Sequence, residues 1–132
     1  PDLTEIRLLE PDTLPGQRVY MVTKGTLLSQ PRDSIGRFQR SGEQPVIITM
    51  QAEPEALPRD PDRVRIPFAE ARWSLFKQED TTLLHYQQRV AIGGRIPQWL
   101  ADEYSTRYVA RAMESLTKYV ATLSSPDCPA LH

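Results

Sequence analysis

Short runs of alternating apolar and polar residues, separated by turn residues, fill the first two thirds of the chain; one long amphipathic period fills the last third. Thr4 to Leu9 reads as a strand. Pro11-Asp12 and Pro15-Gly16 punctuate the way to a second strand, Arg18 to Thr23, and the two are expected to form a hairpin. After a loop containing Pro31-Arg32-Asp33, Ser34 to Arg40 and the β-branched run Pro45 to Gln51 form another hairpin across Ser41-Gly42-Glu43. Residues 52–62 hold Pro54, Pro58 and Pro61 among Glu53, Glu55, Asp60 and Asp62. Prolines cannot donate to a ladder, so a long exposed loop is predicted, with its acids forming a solvated face.

Val64, Ile66 and Phe68 then alternate on even numbers, whereas Ala71, Trp73 and Leu75 alternate on odd ones. A bulge or bend near Ala69-Glu70 would restore one inward face. Beyond a turn at Gln78-Glu79-Asp80, the residues Thr82, Leu84, Tyr86, Gln88, Val90 and Ile92 form the mostly apolar side of a long strand, and His85, Gln87 and Arg89 take the other side. The period changes after Gly93-Gly94. Pro97 suits the first turn of a helix, and no Pro or Gly follows until past Leu123. Ala101, Ser105, Tyr108, Ala112, Leu116, Tyr119 and Leu123 share one stripe of that helix, widened by Val109 and Val120; Glu103, Arg107, Arg111, Glu114 and Lys118 lie opposite. Glu103 with Arg107 and Glu114 with Lys118 are spaced as favourable i,i+4 pairs. About six or seven antiparallel strands followed by one long helix make an α+β chain, and such a helix is expected to bury its stripe on the sheet.

Length and charge narrow the function. At 132 residues the chain is one domain or most of one. Sixteen basic side chains against seventeen acidic leave a net charge of −1. No overall field recruits a phosphate backbone, so nucleic acid is not expected as a partner. Cys128, the lone cysteine, has no internal disulfide partner. Residues 124–132 read as a flexible tail.

The chemistry-bearing residues are few. Arg32-Asp33 reads either as a functional ion pair or as a structural feature in which Asp33 caps a turn and Arg32 pairs with a carboxylate. Gly93-Gly94 reads as a tight corner between strand and helix rather than a phosphate cradle. With only His85 and His132, no His and Cys set has metal-site spacing, and no nucleophile motif accompanies His85. No catalytic residue, metal or cofactor is expected.

Three segments, VYMVTKGTLLSQPRDSIGRF at 19–38, VRIPFAEARWSLF at 64–76 and AIGGRIPQWLADEY at 91–104, together resemble the bacterial START (steroidogenic-acute-regulatory-related lipid transfer) domains of the helix-grip superfamily. The resemblance implies a curved antiparallel sheet with the C-terminal helix packed across it. It also implies that an N-terminal helix and the first strands lie upstream of Pro1, leaving an opened sheet edge through which a dimer could form, and that the protein is periplasmic, with a cytoplasmic location as the alternative. The implied function is non-enzymatic binding or transport of a small hydrophobic ligand, such as a lipid, sterol-like or isoprenoid molecule, between sheet and helix, with transient membrane contact. Ligand-lining candidates are Val19, Met21, Phe38, Ile48, Met50, Ile66, Tyr86, Gln88, Trp99, Tyr104, Tyr108 and Ala112, with entry by movement of the 52–62 loop and of the helix start around Trp99. Thr23, Gln88 and Ser105 are polar groups on apolar faces that a head group or water would satisfy. Two other readings of the same residues are a polyketide cyclase or aromatase of the superfamily and a protein-interaction module.

Overall fold

A computed structural model describes residues 3–25 and 29–122, apart from the Tyr104 side chain. The expected tail with Cys128, and Leu123, lie outside the described residues. The strands are β1 (Leu3–Leu8), β2 (Gln17–Thr23), β3 (Arg32–Ser41), β4 (Val46–Ala52), β5 (Val64–Arg65), β6 (Phe68–Gln78) and β7 (Thr81–Ala91); the helix α1 runs Gln98–Thr122. Contacts divide the chain into two compact units, Asp2–Ile96 with every strand and Pro97–His132 with the helix.

In the strand unit the order is β1-β2-β3-β4-β6-β7, each neighbour antiparallel, with β5 alongside β3. Both expected hairpins, β1–β2 and β3–β4, form. The alternation in β7 holds: Leu84, Tyr86, Gln88 and Val90 are half-buried, while His85, Gln87 and Arg89 are exposed.

The sheet is antiparallel as expected, apart from the two-residue β5, which pairs with β3 in parallel through Arg32↔Val64 and Asp33↔Arg65. Two expectations need correction. The apolar phase changes without a bulge at Ala69-Glu70; the β6–β7 register is unbroken from Phe68↔Ala91 to Gln78↔Thr81. The chain instead leaves β5 at Ile66-Pro67, where proline ends the ladder, and restarts in the other phase at Phe68. Lastly, residues 52–62 are only in part a solvated loop: Glu55, Arg59 and Asp62 are exposed, but other positions are not. Ala56 and Leu57 pack with Leu9 against the buried core of Tyr20, Val22 and Ile35, and Glu53 is half-buried.

In the helical unit, the first turn closes on the Pro97 carbonyl, which accepts from the Leu100 and Ala101 amides at 3.1 Å each. Lys118 meets Glu114 at 2.8 Å, and Arg107 pairs with Glu103, as their spacing predicts. Among the described residues, no helix is long and apolar enough to cross a membrane.

Candidate functional site

Residues opposed across an antiparallel ladder share a face, so the register sorts the side chains without further assumption. Val19 opposes Gly36, Met21 opposes Ser34 and Phe38 opposes Met50. Ile48 opposes Trp73, Met50 opposes Ala71, Trp73 opposes Tyr86 and Ala71 opposes Gln88. Seven of the predicted lining residues, Val19, Met21, Phe38, Ile48, Met50, Tyr86 and Gln88, therefore stand on one face of the sheet, together with Ala71 and Trp73. Trp73 was missed as a lining residue. Its signal was present in the odd-numbered phase with Ala71 and Leu75, but only the register sets it between Phe38 and Tyr86.

These three aromatics form a row: Phe38 and Trp73 stack with centroids 6.0 Å apart, and Trp73 tilts against Tyr86 at 5.1 Å. Gly36 makes room for Met50 beside the row. A Cβ there would come within 3.0 Å of Met50 Cγ and Sδ, so the missing side chain is the space Met50 uses. The polar groups on this face find protein partners rather than needing a ligand or water. The Tyr86 hydroxyl donates to Gln88 Oε1 at 2.7 Å, and Thr23 Oγ1 donates to the Arg32 carbonyl at 3.3 Å.

The other predicted residues are placed differently. Ile66 lies in the link between β5 and β6, outside the ladder, with its amide donating to the Asp33 carbonyl at 2.9 Å. Trp99, Tyr108 and Ala112 belong to the helical unit. Trp99 and Tyr108 are nine residues, two and a half turns, apart and so lie on opposite sides of α1; Trp99 is 66% exposed. The Tyr104 side chain is outside the described residues.

The opposite face holds the buried core of Tyr20, Val22 and Ile35 and, beside it, a network of charges. Arg65, 5% exposed, sends Nε to Asp33 Oδ1 at 2.8 Å and Nη2 to Asp33 Oδ2 at 2.9 Å. Its remaining donors reach the carbonyls of Pro54 (2.6 Å), Leu57 (3.1 Å) and Pro58 (3.1 Å), so all five guanidinium N–H groups are used. Asp33 also accepts from the Tyr20 hydroxyl at 3.0 Å, and that oxygen accepts from Arg63 Nη1 at 2.7 Å. Burial works to raise the Asp33 pKa, but the hydrogen bonds from Arg65 and Tyr20 outweigh it and hold the carboxyl below its ordinary value. Burial pushes the Tyr20 phenol up, with Arg63 opposing.

A second group joins Arg37 Nε to Glu53 Oε1 at 2.5 Å and Arg37 Nη1 to Asp12 Oδ1 at 3.1 Å, with Arg18 Nη2 3.1 Å from Asp12. The hydrogen bond from Arg37 lowers the Asp12 pKa to about 2. An open depression of about 650 Å3 across β4, β6 and β7 belongs mainly to this polar face, through Thr49, Gln51, Glu70, Arg72, Gln87 and Arg89.

The structure thus decides the Arg32-Asp33 question in favour of structure, with different partners from those expected. Both residues are buried in β3, and Asp33 pairs with Arg65 rather than capping a turn. Arg32 finds carbonyls, not a carboxylate: Nε donates to Ile92 O at 3.0 Å and Nη2 to Gly93 O at 3.1 Å. This ties down the Gly93-Gly94 corner, where both residues have positive φ and a Cβ on Gly93 would lie 3.1 Å from Pro67 Cδ. The 52–62 segment, expected to move for ligand entry, packs on the charged face, where three of its carbonyls accept from Arg65. Among the described residues no group of three or more His, Cys, Asp or Glu could hold a metal ion.

No protein-family profile matches the chain. It is 30% identical over 67 residues to Uncharacterized protein PA1579 of Pseudomonas aeruginosa, covering 50% of this chain and 33% of that protein. Its structure is similar to that of a STAR-related lipid transfer protein fragment from Xanthomonas axonopodis, with a TM-score of 0.65 and 27% identity over 78% of this chain and 59% of that one. The chain therefore spans less than two thirds of either relative. Its fold is a START-like, helix-grip α+β fold, and its structural neighbour is a lipid transfer protein.

Proposed function

We propose that this chain binds a small hydrophobic ligand, a lipid, sterol-like or isoprenoid molecule, on the sheet face that carries Val19, Met21, Phe38, Ile48, Met50, Trp73 and Tyr86. The carrying observation is the aromatic row on that face, with centroid spacings of 6.0 and 5.1 Å, opposite a face whose charges are committed to one another. Flat aromatic surface beside an adaptable Met favours apolar burial worth about 25 cal/mol per Å2, with little directional demand on the ligand. Because Tyr86 and Gln88 bond each other, recognition rests on shape and apolar area more than on a head group. The kinship in fold to a lipid transfer protein supports a carrier rather than a catalyst.

The test is native mass spectrometry of protein purified from its natural host, followed by titration with fluorescent fatty-acid and sterol probes. A co-purifying apolar species displaced by a probe is the expected result. Protein that is empty on isolation and fails to bind any apolar probe would overturn the reading.

A further inference from the structure

We propose that strand β1 is a self-complementary edge that pairs antiparallel with β1 of a second copy of this chain, on a two-fold axis at Ile6. Among the described residues, β1 and β7 are the two ends of the strand order, each hydrogen-bonded on one side. An edge that is not meant to pair is blunted by charge, proline or brevity. Strand β1 is short and carries Glu5 and Arg7, but it contains no proline, and Leu3, Ile6 and Leu8 are 43%, 63% and 69% exposed. Ile6 and Leu8 oppose Met21 and Val19 of β2, so they extend the apolar face of the sheet to its margin.

The partner is identified by charge order. A two-fold axis perpendicular to the sheet at Ile6 sets Ile6 against Ile6, Glu5 against the partner's Arg7 and Arg7 against the partner's Glu5. Both charges lie on the other face, opposing Val22 and Tyr20. At present Arg7 Nε is 3.9 Å from Glu5 Oε1 and its guanidinium lies 5.1 Å from the Tyr20 ring centroid, while Glu5 Oε2 is 3.8 Å from Arg63 Nη1; with side chains 57% and 41% exposed, both remain within reach of a partner copy. Opposite charges directly across a strand pair stabilise it, and like charges oppose it. The β7 edge lacks this property, since Thr81–Ala91 contains Arg89 and no acid, so no self-pairing register finds an opposite charge. The ladder irregularity between Leu3 and Glu5 limits the regular part of β1 to Glu5–Leu8. So short an edge belongs at the small end of interface sizes, and a dissociation constant of roughly micromolar order is expected. The inference is independent of the ligand, because the pairing groups are backbone and the Glu5, Ile6 and Arg7 side chains.

Sedimentation velocity of the natural full-length protein, over a range of micromolar concentrations, should show a reversible dimer. Glu5→Arg and Arg7→Glu, each verified as folded by circular dichroism, should each weaken it by about tenfold or more. The double swap should restore it, and an equimolar mixture of the two single variants should form a heterodimer, which supplies the readout even if one homodimer cannot be measured. A protein that stays monomeric, a dimer indifferent to the swaps, or a monomer whose β1 amides are already protected from exchange by another segment of its own chain would each overturn the proposal.

Discussion

The two faces of the sheet solve opposite problems. On one, Arg65, Asp33, Tyr20 and Arg63 are linked by hydrogen bonds, and every N–H of the Arg65 guanidinium has a particular partner. On the other, Phe38, Trp73 and Tyr86 offer surface and almost no direction. Directional bonds in a low-dielectric setting specify one arrangement and penalise any other strongly, which suits a scaffold. Dispersion and apolar burial tolerate many shapes, which fits the ligand surface proposed above.

The largest expected effect comes from breaking the charged face. Arg65→Ala leaves Asp33 buried without its partner and frees three carbonyls, and should cost about 3 to 5 kcal/mol in a urea unfolding curve. If the comparison is sound, the molecules that remain folded keep their affinity for an apolar probe; equal loss of affinity would show that the faces are not separable. Acid probes the same network without mutation. Asp33 and Asp12 are both held below their ordinary values, Asp12 at about 2, whereas the unfolded chain titrates near 3.9. Between these limits the unfolded state binds the extra protons, so stability contributed by both groups is complete above about pH 4 and falls as pH drops toward 2. A thermal midpoint flat from pH 4 to 2 would remove the network from the account.

Trp73→Ala tests the apolar face. Half-buried, Trp73 should cost about 2 kcal/mol, below the range for a fully buried aromatic, yet lower probe affinity more than Arg65→Ala does. Isothermal titration beside the unfolding curve separates the two effects. The smallest expected change is in the helix, where Glu103→Ala should lower stability by only about 0.3 to 0.5 kcal/mol, read as helicity by circular dichroism, and should leave both faces unaffected.

Much of the fold was readable from the sequence because its signals are local. The two-residue alternation of Leu84, Tyr86, Gln88 and Val90 and the uninterrupted helical period after Pro97 each arise from one segment meeting one environment. Most of the candidate face followed for the same reason: once the strands and their inward phase are known, Phe38, Met50 and Tyr86 must share a side. Trp73 escaped because its inward phase does not say which rings it meets; only the register sets it between Phe38 and Tyr86. The Asp33–Arg65 bridge escaped because its members stand 32 positions apart and meet only through a two-residue parallel strand.

By itself the sequence determined the kinds of element, their order and which side of each strand is apolar, since these depend on side-chain pattern and backbone preference within a few residues. The tertiary structure alone decided which acid each arginine meets, that the proline-rich segment covers the charged face, and that three aromatics from β3, β6 and β7 form one row. Such choices depend on distances between segments remote in the chain, and many pairings of the same charges and rings are chemically acceptable until the register selects one.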